Sequence, residues 1–233
     1  MSRSYAIASG IVSVEPEELL VRVRAGTAMS DLMSELATKN QRLRLPMLGT
    51  VGGAVAARRN GPYAADNRGL PNIALMLTAV DGTGRTFRAG GTTVKNVSGF
   101  DMVKVLVGSR GTLATITEVL FRTEPIPAVS RWFLCSGSTN VLYRPTLDIS
   151  AYGRRLVNIE GHLLDVQEQS SLLSDVDEIA RPTDEELCRL APPEHTSTDL
   201  DPAAREICRR LKASFDPHNK LSPELSIRMG LVI

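Results

Sequence analysis

Two glycine-rich stretches hold the residue types best suited to gripping a ligand by its backbone. The first is Gly49-Thr50-Val51-Gly52-Gly53-Ala54-Val55-Ala56-Ala57. Glycine admits positive φ and close backbone approach, so successive N–H groups can turn toward an anion. The small residues after Gly53 let a helix settle tightly on what lies beneath. The stretch is neither a Walker A loop, which needs Gly-Lys-Ser/Thr, nor the Gly-x-Gly-x-x-Gly of a Rossmann turn. By itself it reads as a tight turn into a small-residue helix. The second stretch runs from Gly90 to Glu118, with glycines at 90, 91, 99, 108 and 111. So many glycines cost backbone entropy, and something must require them. Lys95 and Lys104 could serve an anion, although exposed lysines ordinarily serve solubility. Gly108-Ser109 is no nucleophile elbow, because the Gly-x-Ser-x-Gly spacing is absent.

Other chemistry-bearing residues are sparse. His162, within Glu160-Gly161-His162, could act as a general base or a carboxylate binder. His195 and His218 sit in polar, proline-flanked loops, and the ordinary reading of all three histidines is a side chain without a catalytic role, so no catalytic residue is named. Cys135, Cys188 and Cys208 are odd in number and far apart, which argues against a disulfide framework and a metal knuckle.

The elements that must position these residues follow from periodicity. Residues 10–24 read as extended, with Gly26 breaking the strand. Thr27 or Ser30 can cap a helix whose apolar positions are Leu32, Met33 and Leu36, closed by Lys39-Asn40. Ile73 to Val80, the turn Asp81-Gly82 and Thr86-Phe87-Arg88 form a strand pair. Residues 100–107 suit a short helix started near Asp101, and 115–122 a β-branched strand. Pro125 and Pro127 mark a boundary, giving domains over 1–127 and 128–233. Beyond it, Leu156 to Ile159 reads as a strand, and residues 165–200 carry little pattern. A last helix opens at Asp201-Pro202, with Ala204, Cys208, Leu211 and Phe215 on one face. Arg205, Arg209 and Lys212 form a basic face, read as solvated. The fold class is α+β.

A net charge of +1 gives no reason to expect nucleic acid or a membrane surface as partner. No apolar run is long enough for a transmembrane segment, and the first residues lack the layout of a signal peptide, so a cytoplasmic location is expected.

Taken together the motifs are more specific than any one of them. Thr50-Val51-Gly52-Gly53, Gly61-Pro62, Val80-Asp81-Gly82, Gly90-Gly91, Lys95-Asn96-Val97-Ser98-Gly99-Phe100-Asp101 and Gly108-Ser109-Arg110-Gly111-Thr112-Leu113 occur in continuous order over residues 10–127. This series resembles the FAD-binding PCMH-type domain of the vanillyl-alcohol oxidase and glycolate oxidase family, the FAD-binding subunit of glycolate oxidase most of all. Leu211-Lys212 through Phe215-Asp216-Pro217 resembles the family's C-terminal helix and turn. The resemblance implies an FAD-dependent 2-hydroxyacid dehydrogenase or oxidase subunit. It implies FAD contacts from Thr50, Gly52, Gly53, Ala57, Gly61, Gly111, Ala114 and Ile116, lining the pyrophosphate, the ribityl chain and the ring. The flavin is expected to be non-covalent. A small 2-hydroxyacid is the expected substrate, with a partner subunit taking the electrons.

The departures carry expectations of their own. The chain starts just after the family's first flavin-binding lobe, so it reads as the second lobe plus a short, truncated cap region. A lone chain is then expected to hold little flavin, with a complex supplying the missing lobe. Pro71-Asn72 replaces an arginine-aspartate pair, Ala114 stands where glycine is usual, and Ser222-Pro223 stands where asparagine is expected. These changes motivate the rival reading of a flavin-free, degenerate structural subunit or gene fragment.

Overall fold

The structure, a computed structural model, describes residues 7–64, 69–91, 101–139, 142–143, 145–190 and 202–232. The chain opens with a hairpin of β1 (Ile11–Glu15) and β2 (Leu20–Arg24), followed by α1 (Met29–Thr38), β3 (Gln41–Arg42) and α2 (Val51–Ala57). A 3-10 turn (Gly61–Ala64) and the short α3 (Leu70–Ile73) lead into β4 (Ala74–Asp81) and β5 (Thr86–Gly90). Then come α4 (Met102–Leu106), β6 (Ala114–Arg122) and β7 (Glu124–Pro125). The remainder holds β8 (Val129–Cys135), β9 (Leu147–Ala151), β10 (Arg154–Gly161), α5 (Leu163–Ser171), β11 (Val176–Ile179), α6 (Asp184–Leu190), α7 (Pro202–Phe215) and α8 (Pro223–Arg228). The α+β expectation holds. The Lys95 to Phe100 motif and His195 lie outside the described residues.

The first sheet is antiparallel throughout, in the order β1-β2-β6-β4-β5. Its apolar residues share one core with α1, α2 and α4: Val21, Val23, Leu77, Val119 and Phe121 from the strands meet Leu32, Leu36, Val51, Val55 and Leu106 from the helices. Each fully buried aliphatic side chain there contributes about 1.5–3 kcal/mol relative to exposure. The expected caps divide. Asp101 accepts a hydrogen bond from the Lys104 amide (3.3 Å) and opens α4. The N-cap of α1 is Ala28, without a side-chain bond. Thr27 is occupied elsewhere, its hydroxyl accepting from the Gly10 amide (2.8 Å) and facing the Gly10 carbonyl.

The second sheet has the order β11-β8-β10-β9, again antiparallel. Strand alternation gives it two buried faces. Phe133, Cys135, Val157 and Ile159 pack with Val166 of α5. Trp132 and Leu156, one residue out of step, pack with Leu147, Ala151 and Leu187 of α6, and Tyr63 of the 3-10 turn packs against them. Residues 165–200 looked patternless in sequence because α5 shows solvent a polar face and β11 is a short edge strand.

The expectation for α7 needs correction. Leu211 packs on the core of the first sheet, and the Phe215 ring lies 5.3 Å from that of Phe87. The basic face is not simply solvated, however: Lys212 is 1% exposed. Its neighbour Arg209 donates from Nε to the Gly230 carbonyl at 2.7 Å. Both ammonium and guanidinium found backbone acceptors that helical periodicity cannot reveal.

Candidate functional site

The first glycine stretch forms α2, and its packing explains its composition. Thr50 is the N-cap, its hydroxyl accepting from the Gly53 amide at 3.2 Å. Gly52 is buried against the end of β2, where a Cβ would lie 2.8 Å from the Ala25 Cβ. The helix thereby docks on the sheet at backbone distance. The same docking uses up its N-terminal donors: the Val51 amide bonds the Thr27 carbonyl (2.9 Å), Gly52 the Ala25 carbonyl (2.8 Å), and Ala54 the Thr50 carbonyl (2.8 Å). The amide cradle expected for an anion is therefore already committed within the chain. What remains open is a face. Thr50, Gly53 and Ala57 are all exposed and, at helical spacing, lie on one side of α2.

The second stretch closes on the other end of the same helix. Gly108 donates to the Val55 carbonyl (3.0 Å) and Arg110 to the Ala56 carbonyl (2.8 Å). These bonds satisfy carbonyls that a helix C-terminus leaves without partners. The loop manages this by running through left-handed backbone at Gly108 (φ 88°), Arg110 (φ 51°) and Gly111 (φ 72°). One polar group of this loop is unsatisfied. The Ser109 hydroxyl oxygen is buried with no hydrogen-bond partner among the described residues. Buried polar groups are rarely left this way, and each such group asks for a partner.

Of the eight residues that the family resemblance points to, the structure brings Thr50, Gly53 and Ala57 onto one exposed helix face, with Gly111 on the loop bonded to that helix's end. The other four lie inside. Gly52 touches Ala25, and Gly61, at φ 59°, is buried with Pro46 Cγ 2.8 Å from where a Cβ would be. Ala114 and Ile116 belong to β6 and to the main core.

A buried ion pair fastens the C-terminal segment onto the same loop. Lys212 Nζ donates to the Thr112 carbonyl (2.8 Å), the Leu221 carbonyl (2.8 Å) and Asp216 Oδ2 (2.6 Å). Asp216 also accepts from the amides of Lys220 (2.9 Å) and Leu221 (2.7 Å). Burial alone would push the Asp216 carboxyl up; the bonds from Lys212 and from those two amides outweigh it and hold the group below the usual carboxylate range. Ser222 completes the fastening, its hydroxyl within 3.3 Å of the Gly111 carbonyl. The chain approaches so closely here that a Cβ on Gly82 would stand 2.1 Å from Asp216 Oδ1.

A third feature lies where the two sheets meet. Arg42 on β3 forms a fork with Glu160 on β10, Nη1 to Oε1 at 2.9 Å and Nη2 to Oε2 at 2.5 Å. Its Nε donates to Glu124 of β7 at 2.8 Å. Arg44, two residues on, bonds the same Glu124 through Nε and stands 3.4 Å from Glu160 through Nη2. Burial would raise the Glu160 carboxyl, but the hydrogen bond and charge of Arg42, with Arg44 and Ser130, keep it low. The network borders a cavity of about 390 Å³ whose walls include Met33, Leu45, Tyr63 and Trp132. Burial pushes the Tyr63 hydroxyl up, opposed by Arg181 beside it. Sequence reading passed over these residues, although Arg42-Leu43-Arg44-Leu45 alternates basic with apolar residues; β3 itself ends at Arg42. His162 is exposed at the start of α5, and His218 is exposed after α7.

No family model matches the chain. The chain is 33% identical to the glycolate oxidase subunit GlcE of Escherichia coli over 126 residues, 52% of this chain and 36% of that protein. It is 43% identical to a D-lactate dehydrogenase of Archaeoglobus fulgidus over 76 residues, 33% of this chain and 17% of that one. The chain thus spans well under half the length of these relatives. Among solved structures, alkyldihydroxyacetonephosphate synthase shares the fold at a TM-score of 0.55 and 17% identity, over 70% of this chain and 38% of that chain. Among the described residues, no helix is long and apolar enough to cross a membrane. In sequence the chain is similar to glycolate oxidase subunits and FAD-linked oxidoreductases, and in fold to alkyldihydroxyacetonephosphate synthase.

Proposed function

We propose that this chain is the flavin-binding part of an FAD-dependent oxidoreductase that oxidises a small 2-hydroxyacid in the cytoplasm and passes electrons to a partner subunit. The observation that carries the reading is the meeting of the two glycine stretches on α2. One face of that helix presents only a methyl-bearing hydroxyl, a bare backbone and a methyl group, from Thr50, Gly53 and Ala57. A flat aromatic or ribityl surface can approach such a face without meeting a long side chain. At the end of the same helix the Ser109 hydroxyl, without a partner among the described residues, is suited to a polar group of the cofactor, and Gly111 leaves backbone open beside it. Gly52, Gly61, Ala114 and Ile116 would form the bed that holds this surface in place. The chemistry FAD supplies when bound is acceptance of a hydride from the α-carbon of the acid, while the protein orients and shields.

The committed amides at the start of α2 favour a second reading, a flavin-free structural subunit, because a diphosphate would find no free donors there. One experiment separates the two. The protein is purified alone and co-expressed with its genomic neighbours, precipitated with acid, and the supernatant assayed for FAD. The flavin reading expects non-covalent FAD, fully released by acid, in at least the co-expressed preparation. It also expects loss of that FAD in folded Gly53→Leu and Gly111→Leu variants. Absence of flavin from both preparations establishes the structural reading instead.

A further inference from the structure

The cavity between the two sheets has chemistry of its own, and none of the candidate cofactor residues lines it. Its walls divide into two parts. Met33, Leu45 and Trp132 make an apolar side, and Arg42, Arg44, Arg181 and Glu160 a charged one, Arg181 being held by Asp184 (2.5 Å) beside Tyr63. The charged side is nearly saturated. Arg42 spends its Nε on Glu124 and both terminal nitrogens on Glu160. Glu160 Oε1 receives Ser130 as well (3.0 Å). Arg44 is the exception: Nε is bonded to Glu124, but Nη1 is buried with no hydrogen-bond partner among the described residues. The group without a partner among the described residues is therefore a cationic donor, with the cation of Arg181 on the same wall, whereas Glu160 is engaged. A planar guanidinium edge beside an apolar wall is suited to a carboxylate that carries a hydrophobic group.

We propose that this cavity binds a monocarboxylic acid bearing an apolar group larger than that of glycolate or lactate, with Arg44 holding the carboxylate and Trp132 the apolar part. Size supports the larger ligand. The cavity, about 390 Å³, falls in the range of roughly 300–1,000 Å³ typical of sites for organic ligands. A two- or three-carbon acid would leave most of it to water and would not reach from the arginine to the aromatic wall. Arg44 also borders a second cavity of about 360 Å³, lined by Asn72, Arg122 and Thr123, which has no aromatic wall. The apolar ligand therefore selects the first. This assignment does not depend on flavin, since it rests on different residues.

The chain has a single tryptophan, and it is the one in the cavity wall. Trp132 fluorescence of the full chain, titrated with phenylacetate and with hexanoate, should change saturably. Acetate and the neutral methyl ester of phenylacetate should bind at least about tenfold more weakly, the ester because it forfeits the charge pairing. Saturation-transfer NMR on the phenylacetate protons provides a readout that does not rely on the fluorophore. Arg44→Gln should weaken phenylacetate by about tenfold or more. Ala37→Phe, placed at an exposed position of α1 on the cavity wall, should block it without disturbing the core. The proposal is overturned if neither readout detects binding, if the ester binds as well as the acid, or if folded Ala37→Phe binds phenylacetate normally. The result is independent of the flavin content of the preparation, so failure here leaves the oxidoreductase reading standing, and the reverse holds too.

Discussion

Replacing Lys212 by methionine tests how the C-terminal segment is held to the glycine loop. The side chain is 1% exposed and its ammonium reaches three oxygens, on Thr112, Leu221 and Asp216, at 2.6 to 2.8 Å. Methionine fills much of the same volume, so the change is chiefly electrostatic. It leaves Asp216, 2% exposed, with only the Lys220 and Leu221 amides, and it leaves two carbonyls without their donor. Removing one partner of a buried ion pair costs about 3–5 kcal/mol, because the remaining charge stays desolvated. Against a total stability of about 5–15 kcal/mol this is a large fraction. For a chain of this size each kcal/mol lowers Tm by about 2–4 °C, so the midpoint should fall by roughly 6–20 °C. Calorimetry and urea unfolding give the two measures. Lys212→Met combined with Asp216→Leu should recover part of the loss, since the uncompensated charge goes too, although the capped turn at 219–221 does not return. A loss below about 1 kcal/mol in the single variant would place the pair among ordinary solvated ones and refute the reasoning.

Three further outcomes follow from the same geometry. Asp216 has its folded carboxyl held low, so its contribution is present above the unfolded value of about 3.9 and is lost as pH falls through the folded one. Acid unfolding of the wild type should accordingly steepen below about pH 4, and Asp216→Asn should flatten that limb. Gly52→Ala and Gly53→Ala should differ in thermal melts: the first meets the Ala25 Cβ at 2.8 Å and costs about 1–3 kcal/mol, while the second, exposed, meets only the Thr50 Oγ1 at 3.1 Å, so that its helical gain and the pressure on that cap offset each other to within about 1 kcal/mol. Equal effects would show that α2 does not dock as described. Gly82→Ala should destabilise strongly, because its Cβ would overlap the Asp216 carboxyl, and a wild-type melting curve for that variant would contradict the close approach.

Much of the first half was legible in the residues themselves. The strand pair around Asp81-Gly82 became β4 and β5, the β-branched run 115–122 became β6, and Asp101 capped α4. These are local signals: alternation, turn residues and caps act over a few positions, and the sheet obeys them. In the second half only Leu156 to Ile159, the buried run of β10, was legible as a strand; β9 and β11 are short and largely polar, so they carry little alternation.

The site divides along the same line. That two glycine stretches matter can be read from composition and from their likeness to a family. Their assembly into one feature depends on bonds from Gly108 and Arg110 to the end of α2, across about half a hundred residues of chain. Sequence offers Gly52 and Gly53 as equivalent neighbours, yet helical geometry turns one into the core and the other out to solvent. The same holds for charge. Lys212 reads as one more solvated base on an amphipathic helix until folding brings the Thr112 and Leu221 carbonyls to its ammonium. Arg44 is ordinary in the sequence and unusual only once burial has left Nη1 without a partner among the described residues. Types and periods are properties of a segment. Burial and hydrogen-bond satisfaction are properties of the whole packed chain, and for that reason only the tertiary structure could decide which of these polar groups are engaged and which have no partner among the described residues.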